Sequence, residues 1–488
     1  MKTMGKNINF YSVQIILVSV IVFFTGCKKL VEVEGPSTSV NSANIYENDV
    51  TATSALTGIY TLLSASSVSS ESLTGIGYYT GLSSDELQLL SGYGNPVINT
   101  YYTNSLDSRT PYDFWNRIYN QLYYVNAALE GIGHSNTLTP KVKQQLIGEG
   151  KFMRAFCFFY LVNLYGDVPL TLSTNYKVNI VLPRSQQPLV WKQIIEDLKD
   201  AEVLLNADFL DGSLLKTTNE RVRPTKWAAK ALLARAYLYT KDWKMAEEES
   251  TQLLNNPLFI LSPLTEVFNK NNHEAIWQLQ PVVGYPNTMD GIAFIYNPNY
   301  PDRTPVALSE GLIKAFEPGD IRKNLWVNTV KIEDDIYSFP YKYKYGSDIS
   351  VPSIEYSTVL RLAEQYLIRA EARIQQNEIA DGIDDLNRIR IRATDLTDAI
   401  IDQLKPLAGN LSKGDALIAV EHERRVELFS EWGHRWFDLK RTSRIDEVMS
   451  KVAPLKVVNG NWKSNQQWYP IYYVELQQAP NLVQNEGY

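Results

Sequence analysis

Cysteine is scarce in this sequence, whose 488 residues contain only two, Cys27 and Cys157. Two thiols cannot build a disulfide framework, so packing must stabilise a domain of this size. Cys157 lies in the apolar stretch RAFCFFYLV, and an unpaired cysteine is among the most frequently buried residue types. We therefore predict that Cys157 is a small buried core residue and that Cys27 has a separate role.

Histidine is also rare, which disfavours zinc chemistry. The chain has four scattered histidines, too few to make a structural zinc site with one remaining thiol. The run HERR, which starts at His422, lacks the second histidine four residues on that a zinc-protease helix needs. The sequence shows no phosphate-binding glycine loop, Gly-x-Ser-x-Gly elbow or kinase signature. We expect no metal, no cofactor and no catalytic residues, and thus a protein that is not an enzyme.

Net positive charge and long apolar runs are missing as well. The formal net charge of −7 argues against a nucleic-acid partner, because nucleic acids bind basic surfaces. The apolar run Val13–Phe24 is shorter than the roughly 20 residues that span a bilayer. This run therefore does not predict a transmembrane helix.

The same run has the features of an export signal. Two lysines precede it and small residues follow it, which is typical of a secretory signal peptide. The stretch FTGC (Phe24–Cys27) resembles a bacterial lipobox. This resemblance implies that Cys27 carries a lipid such as palmitate and that the chain is cut between Gly26 and Cys27. We expect a lipoprotein signal peptide over residues 1–26 and a lipidated tether over residues 27–40. The alternative is an ordinary secreted protein in which Cys27 is incidental.

Apolar residues at helical spacing predict long helices in the first half of the chain. One such helix covers Asp113–Ile132. A second starts after Thr139 as N-cap and is stopped by Gly166. Because this helix is apolar nearly all round over Phe152–Tyr165, we expect it at the centre of the fold. A third, amphipathic helix is predicted within Ser185–Leu205.

Two segments resemble tetratricopeptide hairpins, whose helices approach closely through small residues. The first is Arg223–Pro257, with alanines at helical spacing and a turn at Lys241–Asp242. The second is Leu362–Ala393, which carries Gly382 where the repeat prefers alanine. The two copies are imperfect and far apart, so we expect a few helical pairs that form a scaffold, and no regular array.

Three other stretches lack the helical spacing of apolar residues. Gly75–Tyr102 and Pro281–Pro305 are rich in residues typical of loops, and Asn324–Gly346 alternates like short strands. The predicted fold is therefore mostly α, a tetratricopeptide-like helical-hairpin scaffold with a loop-rich irregular part that contains a few short strands.

Five segments, taken in order, resemble the RagB/SusD family of Bacteroidetes outer-membrane lipoproteins. They are Gly148–Leu170, Arg223–Tyr239, Val359–Ala372, Glu421–Arg441 and the tail Trp468–Tyr488. Tyr472 and Glu486 stand where the family tail usually has proline. The resemblance covers essentially the whole chain after the lipobox. It implies a SusD-like N-terminal helical region over 41–260 and a RagB/SusD C-terminal region over 261–488.

The family resemblance also implies a role. Its members are surface nutrient-binding proteins that cover a SusC-like TonB-dependent outer-membrane transporter; some hold oligosaccharides and others take peptides. We therefore expect a protein anchored in the outer membrane and facing the cell exterior, which captures a glycan and delivers it to such a transporter. Oligopeptide binding is the main alternative. A surface hydrolase is a distant one, and an adhesin-like interaction protein is the remaining rival.

Tyrosine and amide side chains in the loop-rich stretches are the candidate ligand-binding residues. Aromatic rings stack on the apolar faces of sugars, and amides and carboxylates pair with their hydroxyls. The candidates are Tyr93, Asn95, Tyr285, Tyr296, Asn299, Tyr300 and Asp302. The competing interpretation is that these tyrosines fill gaps in an irregular loop.

The segment Glu421–Arg441 admits two interpretations. Glu427, Glu431 and His434 resemble an acid/base cluster. The interpretation that we favour is one ion-paired helix with exposed pairs and a tryptophan face on the core. Similarly, Glu333–Asp335 has the oxygen ligands that calcium needs but not the spacing of a calcium loop, so we predict a solvated turn.

Overall fold

The computed structural model describes residues 44–66, 72–90, 96–109, 114–282, 284–394 and 403–488. These residues form eighteen α-helices. They are α1 (Asp49–Ala65), α2 (Ile76–Ser83), α3 (Pro96–Tyr102), α4 (Phe114–His134), α5 (Pro140–Tyr165), α6 (Tyr176–Asn179), α7 (Gln187–Leu204), α8 (Lys226–Tyr239), α9 (Trp243–Leu254), α10 (Met289–Phe294), α11 (Glu310–Ile313), α12 (Arg322–Trp326), α13 (Leu362–Gln375), α14 (Ile379–Arg392), α15 (Lys413–Glu427), α16 (His434–Arg441), α17 (Ile445–Lys456) and α18 (Tyr473–Gln478). No helix in these ranges is both long and apolar enough to cross a bilayer.

Six short strands complete the described part, paired as three antiparallel two-stranded sheets. The strands are β1 (Leu87–Leu89), β2 (Ala275–Leu279), β3 (Val306–Leu308), β4 (Val327–Ile332), β5 (Asp335–Pro340) and β6 (Ser357–Arg361). The pairs are β1 with β3, β2 with β6, and β4 with β5. The predicted fold class, mostly helical with a few short strands, is confirmed.

The long predicted helices are confirmed as α4, α5 and α7. Helix α5 begins at Pro140 and ends where Gly166 adopts a φ of 76°. Between Phe152 and Tyr165 every side chain except that of Arg154 is buried, so α5 is the central helix. Cys157 is fully buried there, as predicted, and burial raises the pKa of its thiol.

Both tetratricopeptide-like hairpins are present, as α8–α9 and α13–α14. Their first helices are joined by a buried bidentate ion pair in which Arg235 donates to both carboxylate oxygens of Glu364 at 2.6 Å. A Cβ at Gly382 would lie 2.5 Å from Ile374 Cγ1 and 2.8 Å from the Ala370 carbonyl oxygen. Glycine therefore replaces the usual alanine because α13 and α14 approach too closely for a methyl group.

The prediction that Gly75–Tyr102 is mainly irregular is wrong in part. Ile76–Ser83 forms helix α2, and all eight of its residues are buried. A helix that is buried all round shows no polar face, so its spacing carries no amphipathic signal. Gly77 allows close packing, because a Cβ there would lie 3.0 Å from the Trp432 backbone nitrogen.

The prediction of one continuous helix over Glu421–Arg441 is also wrong. Helix α15 ends at Glu427 and α16 begins at His434. Between them Ser430 and Trp432 have positive φ angles of 59° and 46°. Left-handed backbone at non-glycine residues interrupts a helix, and this break turns the Trp432 ring onto Phe156 of α5, with ring centroids 5.6 Å apart.

Tyr46–Tyr488 forms one compact unit. Its main hydrophobic cluster runs from Leu56 in α1 through Trp277 in β2 to Trp436 in α16. A second cluster joins α13, α14 and α15 around Leu367 and Ile389. The helices thus form a rigid support, on which the β1–β3 sheet and the loops around it are mounted.

Candidate functional site

The β1–β3 sheet brings the two loop-rich stretches to one place. Leu89 pairs with Val306, and the Leu90 N–H donates to the Pro305 carbonyl at 2.9 Å. Because the strands are antiparallel, the chain leaves β1 and enters β3 at the same end of the sheet. Leu90 and Pro305 therefore lie side by side at this end of the sheet, although more than 200 residues separate them in sequence.

Tyr296 is fixed on one side of this sheet end. Its ring stacks on Phe339 of β5, with centroids 5.1 Å apart and an interplanar angle of 25°. Both rings belong to a small apolar cluster with Leu90, Ala307 and the half-buried Tyr337. Tyr296 thus partly fills the base of the loop, as the competing interpretation of these tyrosines expected.

Tyr300 directly precedes the 3₁₀ turn Pro301–Arg303 and is 52% exposed. The Arg303 guanidinium lies 4.3 Å from its ring centroid, a cation–π contact that holds the ring in place. The Tyr300 N–H donates to the Asn297 carbonyl at 3.0 Å, and Thr304 Oγ1 donates to the Ile295 carbonyl at 3.2 Å. We call the surface formed by Tyr296–Arg303 and Tyr337 the loop face.

Other predicted ligand-binding residues vary in position. Asn299 is exposed on the loop face, and Tyr285 is half-buried nearer the start of the same stretch. Asp302 belongs to a 3₁₀ turn, Pro301–Arg303. Three predicted sites lie outside the described residues, namely Cys27, Tyr93 and Asn95. Arg303 escaped sequence analysis, although its spacing of three from Tyr300 in a turn was an available signal.

Buried polar contacts hold the base of the loop to the scaffold. Asn287 Oδ1 accepts from the backbone N–H groups of Ile354 at 2.8 Å and Glu355 at 3.0 Å. Gly291 lies against the Tyr345 carbonyl oxygen, which leaves no space for a Cβ. Burial raises the pKa of Asp290 to about 6 and that of Glu355 to about 7.

Two acidic residues just before β1 join the sheet to the break between α15 and α16. Asp85 forms a bidentate ion pair with Arg435, at 2.7 and 2.9 Å. Glu86 is buried and accepts from the Ser430 N–H at 2.8 Å. Burial raises the pKa of Glu86 to about 7, and the Ser430 N–H opposes this shift. The loop face is therefore mounted on a polar network that reaches the C-terminal helices.

The carboxylates of Glu427 and Glu431, which resemble an acid/base cluster in the sequence, form buried ion pairs. Glu427 contacts Arg361 at 2.6 Å and Arg322 at 2.8 Å, and also pairs with Arg392. Burial alone would raise the pKa of Glu427, but the three guanidiniums hold it well below its usual range. Burial lowers the pKa of His434. These groups are structural, and the predicted exposed pairs along one helix are instead buried long-range pairs.

Glu333 and Asp334 form the exposed hairpin turn between β4 and β5, in which Glu333 has a φ of 53°, and Asp335 is the exposed first residue of β5. The prediction of a solvated turn is confirmed. Within the described ranges, no three His, Cys, Asp or Glu side chains are grouped as metal ligands would be.

Comparison with known proteins identifies the family. A model of the family described as "Starch-binding associating with outer membrane" matches residues 41–238, and a model of the SusD family matches residues 324–488. A SusD-like protein of Formosa agariphila is 23% identical over 97% of this chain and 98% of its own. The chain belongs to the RagB/SusD family, a family of SusD-like surface glycan-binding proteins whose members are generally non-catalytic.

Solved structures share the fold. A SusD superfamily protein of Bacteroides vulgatus superposes with a TM-score of 0.77 at 21% identity, covering 91% of this chain and 100% of that chain. A laminarin-binding SusD-like protein superposes with a TM-score of 0.72 at 21% identity, again covering 91% of this chain and 100% of that one.

Proposed function

We propose that this protein is a non-catalytic lipoprotein of the outer-membrane surface that captures a glycan on its loop face and delivers it to a SusC-like TonB-dependent transporter. The observation that carries the glycan-binding part is the β1–β3 sheet end, where residues of the two loop-rich stretches pair, together with the exposed Tyr300 five residues before Pro305. Loops on a rigid scaffold are common positions for binding residues.

The chemistry of the loop face suits a neutral sugar. An exposed tyrosine offers an apolar ring to the C–H face of a sugar and a hydroxyl to its polar edge. Asn299 beside it offers both a donor and an acceptor to vicinal hydroxyls. On the loop face we propose Tyr296, Asn299, Tyr300 and Asp302 as ligand-binding residues, with Arg303 as the residue that positions Tyr300. We also propose Tyr93, Asn95 and Tyr285 as ligand-binding residues, although they are not among the residues that define the loop face. The laminarin-binding relative supports a carbohydrate ligand.

A matched pair of variants tests the site. Tyr300→Ala should weaken binding about tenfold, since losing an exposed stacking ring costs about 1 to 2 kcal/mol. Tyr123→Ala on α4 removes a tyrosine of equal exposure, 53% against 52%, from a different surface and should leave affinity unchanged. Calorimetry on a glycan selected by array screening measures both. Equal affinities for the two variants would refute the loop face as the site.

An oligopeptide is the alternative ligand, because aromatic rings and amides also bind peptide chains. A surface hydrolase is the distant alternative, and turnover of an oligosaccharide by the purified protein would establish it.

For the anchor, we propose lipid attachment at Cys27. Cys27→Ala should move the protein from the membrane fraction to the soluble fraction, and retention in the membrane would contradict the anchor.

A further inference from the structure

A second cleft lies at the C-terminal end of α5 and shares no lining residue with the loop face. Its volume is about 650 Å³, within the range of small-ligand sites. Its lining combines the α5–α7 connection with the C-terminal tail and includes Gly166, Arg184, Gln187, Asn465, Trp468 and Asn485. We call it the tail cleft.

The floor of the tail cleft is rigid and internally paired. Arg184 donates to the carbonyls of Asp167 at 2.7 Å and Tyr165 at 3.1 Å, and also to Asn485 Oδ1. Asn485 is buried and donates to the carbonyls of Tyr165 at 3.1 Å and Tyr469 at 2.8 Å. The guanidinium is therefore used within the fold, and the floor is preorganised.

Unlike the floor, the rim has polar groups that are not paired within the protein. Within the described ranges, the side chains of Gln187, Ser464 and Asn465 and the indole N–H of Trp468 form no hydrogen bond. Each amide offers two donors and an acceptor with two lone pairs, and the hydroxyl offers both functions. The rim thus presents several unused hydrogen-bonding groups around one aromatic ring.

Trp468 is held in place from within the protein. The ammonium of the half-buried Lys440 lies 3.6 Å from the ring centroid and donates to the Asn163 carbonyl. Gly487, with a φ of 91°, lets the tail approach the rim, since a Cβ there would lie 2.5 Å from Asn465 Nδ2. Fixing the ring and the amide before binding lowers the entropy cost of binding.

We propose that the tail cleft is a second saccharide site, which takes a short neutral oligosaccharide. A fixed indole ringed by unpaired amides matches the alternation of apolar C–H faces and hydroxyls on a sugar. The charge selects a neutral sugar, because Glu486 adds a carboxylate while Arg184 is internally paired. An acidic sugar would meet an unpaired carboxylate without an available cation. This site goes beyond the proposed function and does not depend on the loop face.

Calorimetry on the full chain tests the tail cleft with three probes, maltohexaose, laminarihexaose and cellohexaose. The background is Tyr300→Ala, which weakens the loop face. This variant should still bind at least one probe, and adding Gln187→Ala and Asn465→Ala should weaken that binding at least tenfold. Thermal melting should show both proteins folded. Trp468→Phe, which keeps a ring but removes the N–H, should give a smaller loss.

The outcomes separate this site from the loop face. Residual binding that the two rim substitutions leave unchanged would overturn the tail cleft, as would failure of every protein to bind any probe. If Tyr300→Ala leaves wild-type affinity but the rim substitutions remove it, the tail cleft stands and the loop face fails. If Tyr300→Ala alone removes all binding, the loop face stands and the tail cleft fails.

Discussion

Glu427 is the single residue that best shows how buried ion pairs stabilise this fold. Its carboxylate is fully buried among Arg322, Arg361 and Arg392. We expect Glu427→Ala to lower the free energy of unfolding by about 3 to 5 kcal/mol, because it leaves buried guanidiniums without a counter-charge. Urea denaturation followed by circular dichroism measures this loss.

An exposed ion pair provides the control for Glu427. Glu310 contacts Lys314 at 2.6 Å, but the two side chains are 78% and 71% exposed. Glu310→Ala should change the free energy of unfolding by less than about 1 kcal/mol, since solvent screens such pairs. Equal losses for the two variants would show that the buried network is not a main source of stability.

Glu86 provides a prediction about pH. Burial raises its pKa from 4.5 to about 7 in the folded protein. Between these values the folded state keeps a proton that the unfolded state has released, so rising pH removes stability across this window. Glu86→Gln should therefore gain stability relative to the unsubstituted protein as pH rises from 5 to 8. Melting curves at both pH values measure the gain, and parallel curves would contradict the raised pKa.

Among the helices, the α13–α14 hairpin depends on a glycine that the tetratricopeptide pattern would replace. Gly382→Ala would place a methyl group 2.5 Å from Ile374 Cγ1. We expect a loss of about 1 to 3 kcal/mol in the free energy of unfolding, because overpacking displaces the helices. Chemical denaturation measures it.

Gly133 is the matched control in helix α4. No atom lies within 4 Å of a Cβ built on it, so Gly133→Ala should be neutral or stabilising by roughly 0.5 to 1 kcal/mol through the helix preference of alanine. If both substitutions lower the free energy of unfolding equally, the loss at Gly382 comes from replacing a glycine as such and not from the contact between α13 and α14.

Elements with a local signal were predictable from the sequence. Helices α4 and α7 repeat apolar residues at helical spacing, and α5 carries its start and stop residues within its own sequence. The break before α16 was missed although Gly433, which has a φ of 79° directly before this helix, was a local signal. The left-handed backbone at the non-glycine residues Ser430 and Trp432 has no such signal. Helix α2 was missed because burial on all sides removes the amphipathic pattern.

The loop face could be predicted only in part, because contacts between residues distant in sequence determine it. Composition identified Tyr296 and Tyr300 as candidates, but their different environments depend on contacts with Phe339 and Arg303. The pairing of β1 with β3 joins segments more than 200 residues apart, and no local pattern encodes such a pairing. The tail cleft combines the α5–α7 connection with the tail in the same way.

At the scale of the whole molecule, the helices and the three small sheets of Tyr46–Tyr488 form one compact unit around a shared hydrophobic cluster. We propose that the regions 41–260 and 261–488 fold as one unit, since the main hydrophobic cluster contains residues of both. The protein should co-purify with a SusC-like TonB-dependent transporter after mild detergent extraction of native membranes. Recovery of the protein without a transporter under these conditions would contradict the partnership.

The measurement that tests the central claim most directly is a glycan array probed with the purified chain, with an oligopeptide library screened in parallel. We predict that one class of neutral glycan on the array retains the protein and that calorimetry on the soluble form of that glycan gives saturable binding. Retention of peptides with no retained glycan would contradict the claim and establish the oligopeptide alternative.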